Sequence, residues 1–148
     1  MRPGLVATAA IDGGARGNPG PAGCGFVLEI KDGNREEHAI YLGETTNNVA
    51  EYAALLGALT RALELGVVDI EVRSDSELLV RQLTGRYKVR APHLQKLHLR
   101  AKALVSRFAH FGVVHVRREG NTAADRLANQ AMDTKESTVP CPEGVPPR

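Results

Sequence analysis

Two cysteines, no apolar run of 18 residues, and 41 consecutive positions without an acid mark what this 148-residue chain does without. Cys24 and Cys141 are far apart and form no CxxC pair, which argues against both a zinc site and a disulfide framework and makes a reducing cytoplasm the default compartment. Met1-Arg2-Pro3-Gly4 leads straight into a strand-like run, with no h-region and no lipidation signal, so the expectation is a soluble, unexported, cytoplasmic protein without membrane contact. One domain's worth of chain is present, enough to bury roughly 68–70% of its unfolded surface without staples.

Charge is nearly balanced overall, at a formal +2, but not along the chain. From Leu78 to Arg118 there is no Asp or Glu, while that stretch carries ten of the nineteen Lys and Arg and four of the five His. A solvated helix surface is the ordinary reading of a short run of this kind. Over 41 residues the pattern favours a face that binds a polyanion.

Hydrophobic periodicity orders the elements. Leu5–Ile11 is β-prone and is expected to end at Asp12, where the Gly- and Pro-rich 13–23 segment reads as a loop. Cys24–Ile30 and His38–Leu42 flank Asp32-Gly33-Asn34, a hairpin signature. Tyr52, Leu55, Leu56, Leu59 and Leu63 then recur at helical steps within Thr45–Leu65, before Gly66. A strand over Ile70–Asp75 and a short helix over Ser76–Leu83 follow, broken by Gly85. A helix after Pro92, a strand over Gly112–Arg117, and a last helix over Asn121–Met132 capped by Asn121 or Thr122 complete a domain taken as 1–133. Residues 134–148 read as a Pro-rich flexible tail. Strands followed by alternating helix and strand imply an α/β fold, a mixed sheet with packed helices.

Four carboxylates sit at the borders of these elements: Asp12, Glu51, Asp75 and Asp125. If the first and fourth strands are parallel neighbours, their carboxyl ends adjoin, where α/β sheets bind ligands, and the four acids converge. Converging carboxylates need a counter-charge. Oxygen-only donors suit Mg²⁺ or Mn²⁺, and two such ions about 3.5–4 Å apart can activate a water and stabilise the leaving oxygen of a phosphodiester. Carboxylates beside a basic surface fit nucleic-acid cleavage, with Lys and Arg on the neighbouring phosphates.

The segments IDGGARGNPGPAGCG (11–25), TTNNVAEYAALLGAL (45–59), RSDSELLV (73–80) and REGNTAADRLANQAM (118–132) resemble the motif set of type 1 ribonuclease H, in order and with the acid in each. The resemblance implies a ribonuclease H-like five-stranded mixed sheet, three antiparallel strands then two parallel, with helices on both faces. It also implies endonucleolytic hydrolysis of the RNA strand of RNA–DNA hybrids by a monomer with two Mg²⁺ ions, Mn²⁺ able to substitute, leaving 5′-phosphate and 3′-hydroxyl ends. Asp12, Glu51, Asp75 and Asp125 match the metal-binding acids. Gly17 and Asn18 match the turn that touches substrate, Asn47 and Asn48 match the pair whose amides meet the minor groove, and Thr46 beside them is a further substrate-binding candidate. Such amides donate and accept at once, and the 2′-hydroxyl is what distinguishes RNA from DNA.

Taken singly, each residue has a plainer reading. Asp12 is a turn-former before Gly13, Asp75 a helix N-cap, Glu51 a solvent-facing helix residue, Asp125 a first-turn acid complementing the dipole, and Asn47 or Asn48 a helix cap. His115 reads as a sheet residue, not a general base. The chain also departs from the family pattern. Only RYKVRA separates Gly85 from Pro92, leaving no room for the inserted basic helix many members carry, so substrate grip is expected to come from Arg86, Lys88, Arg90 and the following basic helix, or from another domain. The loop before the last acid, Arg117–Gly120, lacks the usual His, and Arg118 is the positive group expected near the leaving phosphate. Glu77 stands where many relatives have an uncharged contact, and no Trp exists to stack on a DNA sugar. A non-catalytic binding module of the same fold, or a nuclease that also cuts double-stranded RNA, are the alternatives.

Overall fold

The computed structural model describes residues 4–145; Met1–Pro3 and the last three residues of the Pro-rich segment lie outside the described residues. Strands β1 (Leu5–Ala15), β2 (Gly20–Ile30) and β3 (Arg35–Thr45) pair antiparallel, and β4 (Val67–Ser74) and β5 (His110–His115) add in parallel on the other side of β1. The order is β3-β2-β1-β4-β5, the mixed sheet expected. Helices α1 (Asn47–Glu64), α2 (Glu77–Leu83) and α3 (Pro92–Val105) lie with one face of the sheet, while α4 (Thr122–Thr134) covers the other.

Side-chain alternation in β1 explains the two layers. Ala7, Ala9 and Ile11 point into the main core with Phe26, Leu28, Leu55, Leu56 and Leu59, and Ala10 faces a smaller cluster of Val27, Ala39, Leu127 and Ala131 beneath α4. Small residues set the spacing between layers. A Cβ on Gly25 would stand 2.8 Å from the Ala124 carbonyl and 2.9 Å from the Ala128 nitrogen. Gly25 is the β2 partner of Asp12, so the same glycine that admits α4 brings the start of that helix against Asp12.

Several boundaries move. β1 does not stop at Asp12 but runs to Ala15, with Gly13 and Gly14 paired to Cys24 and Gly23. Glycine here serves close approach of α1 rather than a turn, because a Cβ on Gly13 would meet the Ala50 carbonyl and lie 2.7 Å from the Glu51 nitrogen. The loop shrinks to residues 16–19, closed by the Arg16 amide donating to the Pro21 carbonyl at 2.8 Å. β5 begins at His110 and ends at His115, followed by a single 3-10 turn at Arg118–Gly120. Thr46, not Asn47 or Asn48, caps α1, its Oγ1 accepting from the Val49 amide at 3.3 Å. Ser76, not Asp75, caps α2, accepting from Leu79 at 3.2 Å.

Past α4 the chain turns at Lys135, whose φ of 57 is left-handed, and comes back across the sheet edge. Thr138 and Ser137 bond to β3, Val139 and Cys141 pack against the core, and Val145 is buried. Residues 135–145 therefore lie on the domain surface as a strap, with their apolar side chains turned inward.

Candidate active site

Four elements deliver one acid each to a common cleft. Asp12 comes from within β1, Asp75 directly follows β4, Glu51 sits in the first turns of α1, and Asp125 lies in the first turn of α4. Because β1 and β4 are parallel, with Ile11 beside Ser74, Asp12 and Asp75 leave the sheet side by side. All four acids line a cleft of about 460 Å³, together with Arg16, Asn47, Ser76, Arg118 and Asn129.

The local scaffolding is specific. Asn47 Oδ1 accepts from the Ala15 amide at 2.7 Å, and the Asn47 amide donates to Asn18 Oδ1 at 3.0 Å, clipping the glycine-rich turn to the start of α1. Buried Tyr52 donates its hydroxyl hydrogen bond to Gln82 Oε1 at 2.7 Å and ties α1, with Glu51 next door, to α2 behind Asp75. Asn121 Nδ2 donates to the Ile11 carbonyl at 2.9 Å and pins the head of α4 to the residue before Asp12.

Gathering these carboxylates has an electrostatic cost that surfaces as altered proton affinity. Burial pushes the Asp12 carboxyl up to about 8, with the Asp75 charge, a hydrogen bond shared with Asp125 and the Asp125 charge adding to it, against the Gly13 amide. Burial likewise raises Glu51 to about 7, aided by Asp75 and opposed by a hydrogen bond to Ser76. Carboxylates that hold protons near neutrality are carboxylates short of positive charge.

That shortage bears on metal binding. Among the described residues no three His, Cys, Asp or Glu side chains already stand in a ligating arrangement, so the acids share a cleft without closing on a point. The donor chemistry fits a hard divalent cation all the same: four carboxylates, no thiol and no imidazole line the cleft, and mutual repulsion is what a cation would relieve.

A family model described as reverse transcriptase-like matches residues 10–131. A bifunctional protein of Mycobacterium tuberculosis is 48% identical over 124 residues, which cover 82% of this chain and 34% of that protein. The ribonuclease HI of Halobacterium salinarum is 45% identical over 126 residues, 84% of this chain and 63% of the relative. This chain thus spans between about a third and two thirds of these relatives' lengths. The crystal structure of RNase H1 from Halobacterium salinarum superposes with a TM-score of 0.83 at 44% identity, covering 87% of this chain and 98% of that one. The chain belongs to the ribonuclease HI family. The structure of LC11-RNase H1 in complex with an RNA/DNA hybrid matches at a TM-score of 0.80 and 44% identity, over 88% of this chain and 98% of that one.

Within this ribonuclease HI fold the residues singled out from sequence separate into two groups. Asp12, Glu51, Asp75, Asp125, Asn47 and Arg118 line the acid cleft. Gly17 (φ 92) and Asn18 form the adjoining turn, and Thr46 caps α1 in a neighbouring cleft with Pro19 and His93. Asn48 does not line the acid cleft, and neither do Arg86 and Lys88, which are exposed in the segment between α2 and α3. Ser76, Arg16 and Asn129 are cleft residues that sequence reasoning missed. Ser76 had a visible signal, a cap directly after Asp75. Asn129 stands one helical turn after Asp125, its Nδ2 donating to the Asp125 carbonyl at 3.0 Å, and Arg16 reaches it at 3.3 Å while pairing with Asp133 at 2.7 Å.

Proposed function

We propose that the chain is an endoribonuclease that hydrolyses the RNA strand of RNA–DNA hybrids, leaving 5′-phosphate and 3′-hydroxyl ends. The observation that carries this reading is the convergence of four acids from four separate elements in one cleft, beside a chain segment that is basic and free of acids. The hybrid held by the similar LC11-RNase H1 supports the substrate class.

Asp12, Glu51, Asp75 and Asp125 hold two Mg²⁺ ions in this reading, with Mn²⁺ able to replace them. Bound there, the ions supply an activated water and neutralise charge at the scissile phosphate. The protein's own groups do the rest. Ser76 steadies Glu51 in its ionised form. Asn47, its Oδ1 committed to Ala15, keeps its Nδ2 free of protein partners among the described residues, and that amide is the group to meet the minor groove. Arg118, exposed on the cleft wall, offers positive charge to the leaving phosphate. The turn at Gly17 and Asn18 brings backbone close to the substrate, and Thr46 and Asn48 border it; Arg86 and Lys88 grip flanking phosphates.

Among the described residues no helix is long and apolar enough to cross a membrane. A monomer in the cytoplasm completes the proposal, supported by two free cysteines, one of them buried.

The test is cleavage of a labelled hybrid in Mg²⁺ and in Mn²⁺, beside matched RNA and DNA duplexes, by the wild type and Asp75→Asn. RNA-strand cuts that vanish in the variant are expected. Binding without cutting in either metal overturns catalysis, and equal cutting of double-stranded RNA overturns hybrid selectivity.

A further inference from the structure

A second cleft, of about 370 Å³, opens beside the acid cleft and is lined by Glu77, Val80, Arg81, Thr84, Arg86, Val113 and His115. The two adjoin through consecutive residues, because Ser76 borders the first and Glu77 the second. They adjoin again at His115, whose Nε2 lies 3.3 Å from the Asp75 carbonyl oxygen. We propose that this second cleft binds a phosphodiester of the RNA strand flanking the scissile position. The proposal rests on the hybrid-cleaving reading above and adds a binding site outside the acids.

Three observations carry it. The cleft has a net positive lining: Arg81 and Arg86 face the single carboxylate of Glu77, which Arg81 already engages through Nε at 2.8 Å. Arg81 is also held in place on its other side, its guanidinium carbon 5.2 Å from the centroid of the Tyr87 ring. An arginine fixed by a carboxylate and a ring still has unused N–H donors in a rigid fork, the geometry that matches phosphate oxygens. Arg86 is exposed and makes no ion pair among the described residues, so its charge is uncommitted. The turn that carries it is fixed, with the Arg86 amide donating to the Arg81 carbonyl at 2.8 Å and the Tyr87 amide to the same oxygen at 3.1 Å. The apolar floor of Val80 and Val113 suits a ribose face between phosphates.

Continuity decides which strand is bound. The two clefts meet at consecutive residues, Ser76 and Glu77, so the strand whose scissile phosphate lies among Asp12, Glu51 and Asp75 is the one assigned to the second cleft. Phosphate contacts position a duplex without reading sequence, so the cleft sets where along the RNA the cut falls.

The experiment compares wild type, Arg86→Ala and Lys31→Ala, the last an equal loss of charge on an exposed residue of the β2–β3 turn, outside both clefts. Hybrid binding is measured over a salt series in EDTA, and cuts are mapped in Mg²⁺ on hybrids with either the RNA or the DNA strand shortened stepwise from each end. Arg86→Ala is expected to lower the salt slope by about 1. It is also expected to erase the wild-type preference for RNA that extends past the cut on one side, with Lys31→Ala unchanged in both. An Arg86→Ala slope and cut map identical to wild type overturn the site, as does an equal effect of Lys31→Ala. Dependence on DNA-strand length instead overturns the strand assignment. A wild type that cuts no hybrid at all fails the functional reading itself, and is seen before any variant is compared.

Discussion

Asn121 Nδ2 donates to the Ile11 carbonyl across 2.9 Å of buried interior, and that one bond joins the head of α4 to β1 a residue before Asp12. Asn121 occupies the N-cap position of α4, yet its side chain makes no cap bond. It is a brace between two acid-bearing elements, and its Oδ1 has no partner among the described residues, a polar group buried for the sake of that brace.

Asn121→Ala should lower stability by about 1–3 kcal/mol, the cost of a lost buried hydrogen bond. Single-turnover cleavage should fall further than the melting midpoint implies, because Asp125 loses its fixed distance to Asp12. Melting curves and rates measured well below both midpoints separate the two effects. A full rate in the folded variant would mean that helix packing alone places Asp125.

Gly13 has a similar role on the opposite face. Its missing Cβ lets the Ala50–Glu51 backbone of α1 come down on β1, and a Cβ there would sit 2.7 Å from the Glu51 nitrogen. Gly13→Ala should therefore lower both stability and activity by pushing Glu51 away from Asp12. At the next position the nearest obstacle to a Cβ is Asn47 Oδ1 at 3.7 Å, an ordinary contact. Gly14→Ala should melt within about 0.5 kcal/mol of wild type, as substitutions without a clash do. Equal melting of the two variants would remove close approach as the reason for Gly13.

Proton linkage makes the carboxylate cleft measurable without substrate. Asp12 at about 8 and Glu51 at about 7 keep protons in the folded state that the unfolded chain releases near pH 4. The folded state thus binds more protons than the unfolded between roughly pH 4 and 8, and metal-free stability falls as pH rises through that window, by on the order of a few kcal/mol. Denaturant unfolding in EDTA should show the decline. Asp12→Asn with Glu51→Gln should flatten it, and Mg²⁺ should restore stability most at the alkaline end. A slope that survives the double substitution would assign it to other groups.

Much of this was legible in the chain, for reasons that are physical. Periodicity located α1 and α3 because one face of each is apolar; element order gave a mixed sheet, while the parallel pairing of β1 and β4 that puts Asp12 and Asp75 together was a condition of the residue reading, implied only by the family resemblance. What misled was glycine. Gly13, Gly14, Gly20 and Gly23 signal a loop by local propensity, yet they lie in β1 and β2, and at Gly13, Gly20 and Gly23 a missing Cβ is needed against α1, the adjoining turn and α4 respectively. Tertiary packing, invisible to local reading, took precedence. Asn47 was likewise weighed as a cap, when its Oδ1 satisfies the Ala15 amide 32 residues away. Composition also hid the inward-facing Val139 and Val145 among the prolines that follow α4.

The strap formed by residues 135–145 yields the last prediction. β3 is an edge strand, and unpaired edges are templates for association. Thr138 covers this one twice: its amide donates to the Ala39 carbonyl at 2.8 Å, and its Oγ1 accepts from the Ala39 amide at 3.0 Å. Ser137 Oγ accepts from the Tyr41 amide at 2.8 Å, and Arg100 pairs with Glu143 at 2.8 Å. Thr138→Ala removes the side-chain bond and should cost about 1 kcal/mol. Ending the chain at Lys135 should cost more, since burial of Val145 is lost as well, roughly 1.5–3 kcal/mol for that side chain alone. The shortened protein should also associate with rising concentration in sedimentation runs, as bare β3 edges find one another, while the monomer that remains folded cuts hybrid at the wild-type rate because the edge lies two strands from Asp12. A shortened chain that melts like the full one would reduce the strap to a surface contact without energetic weight.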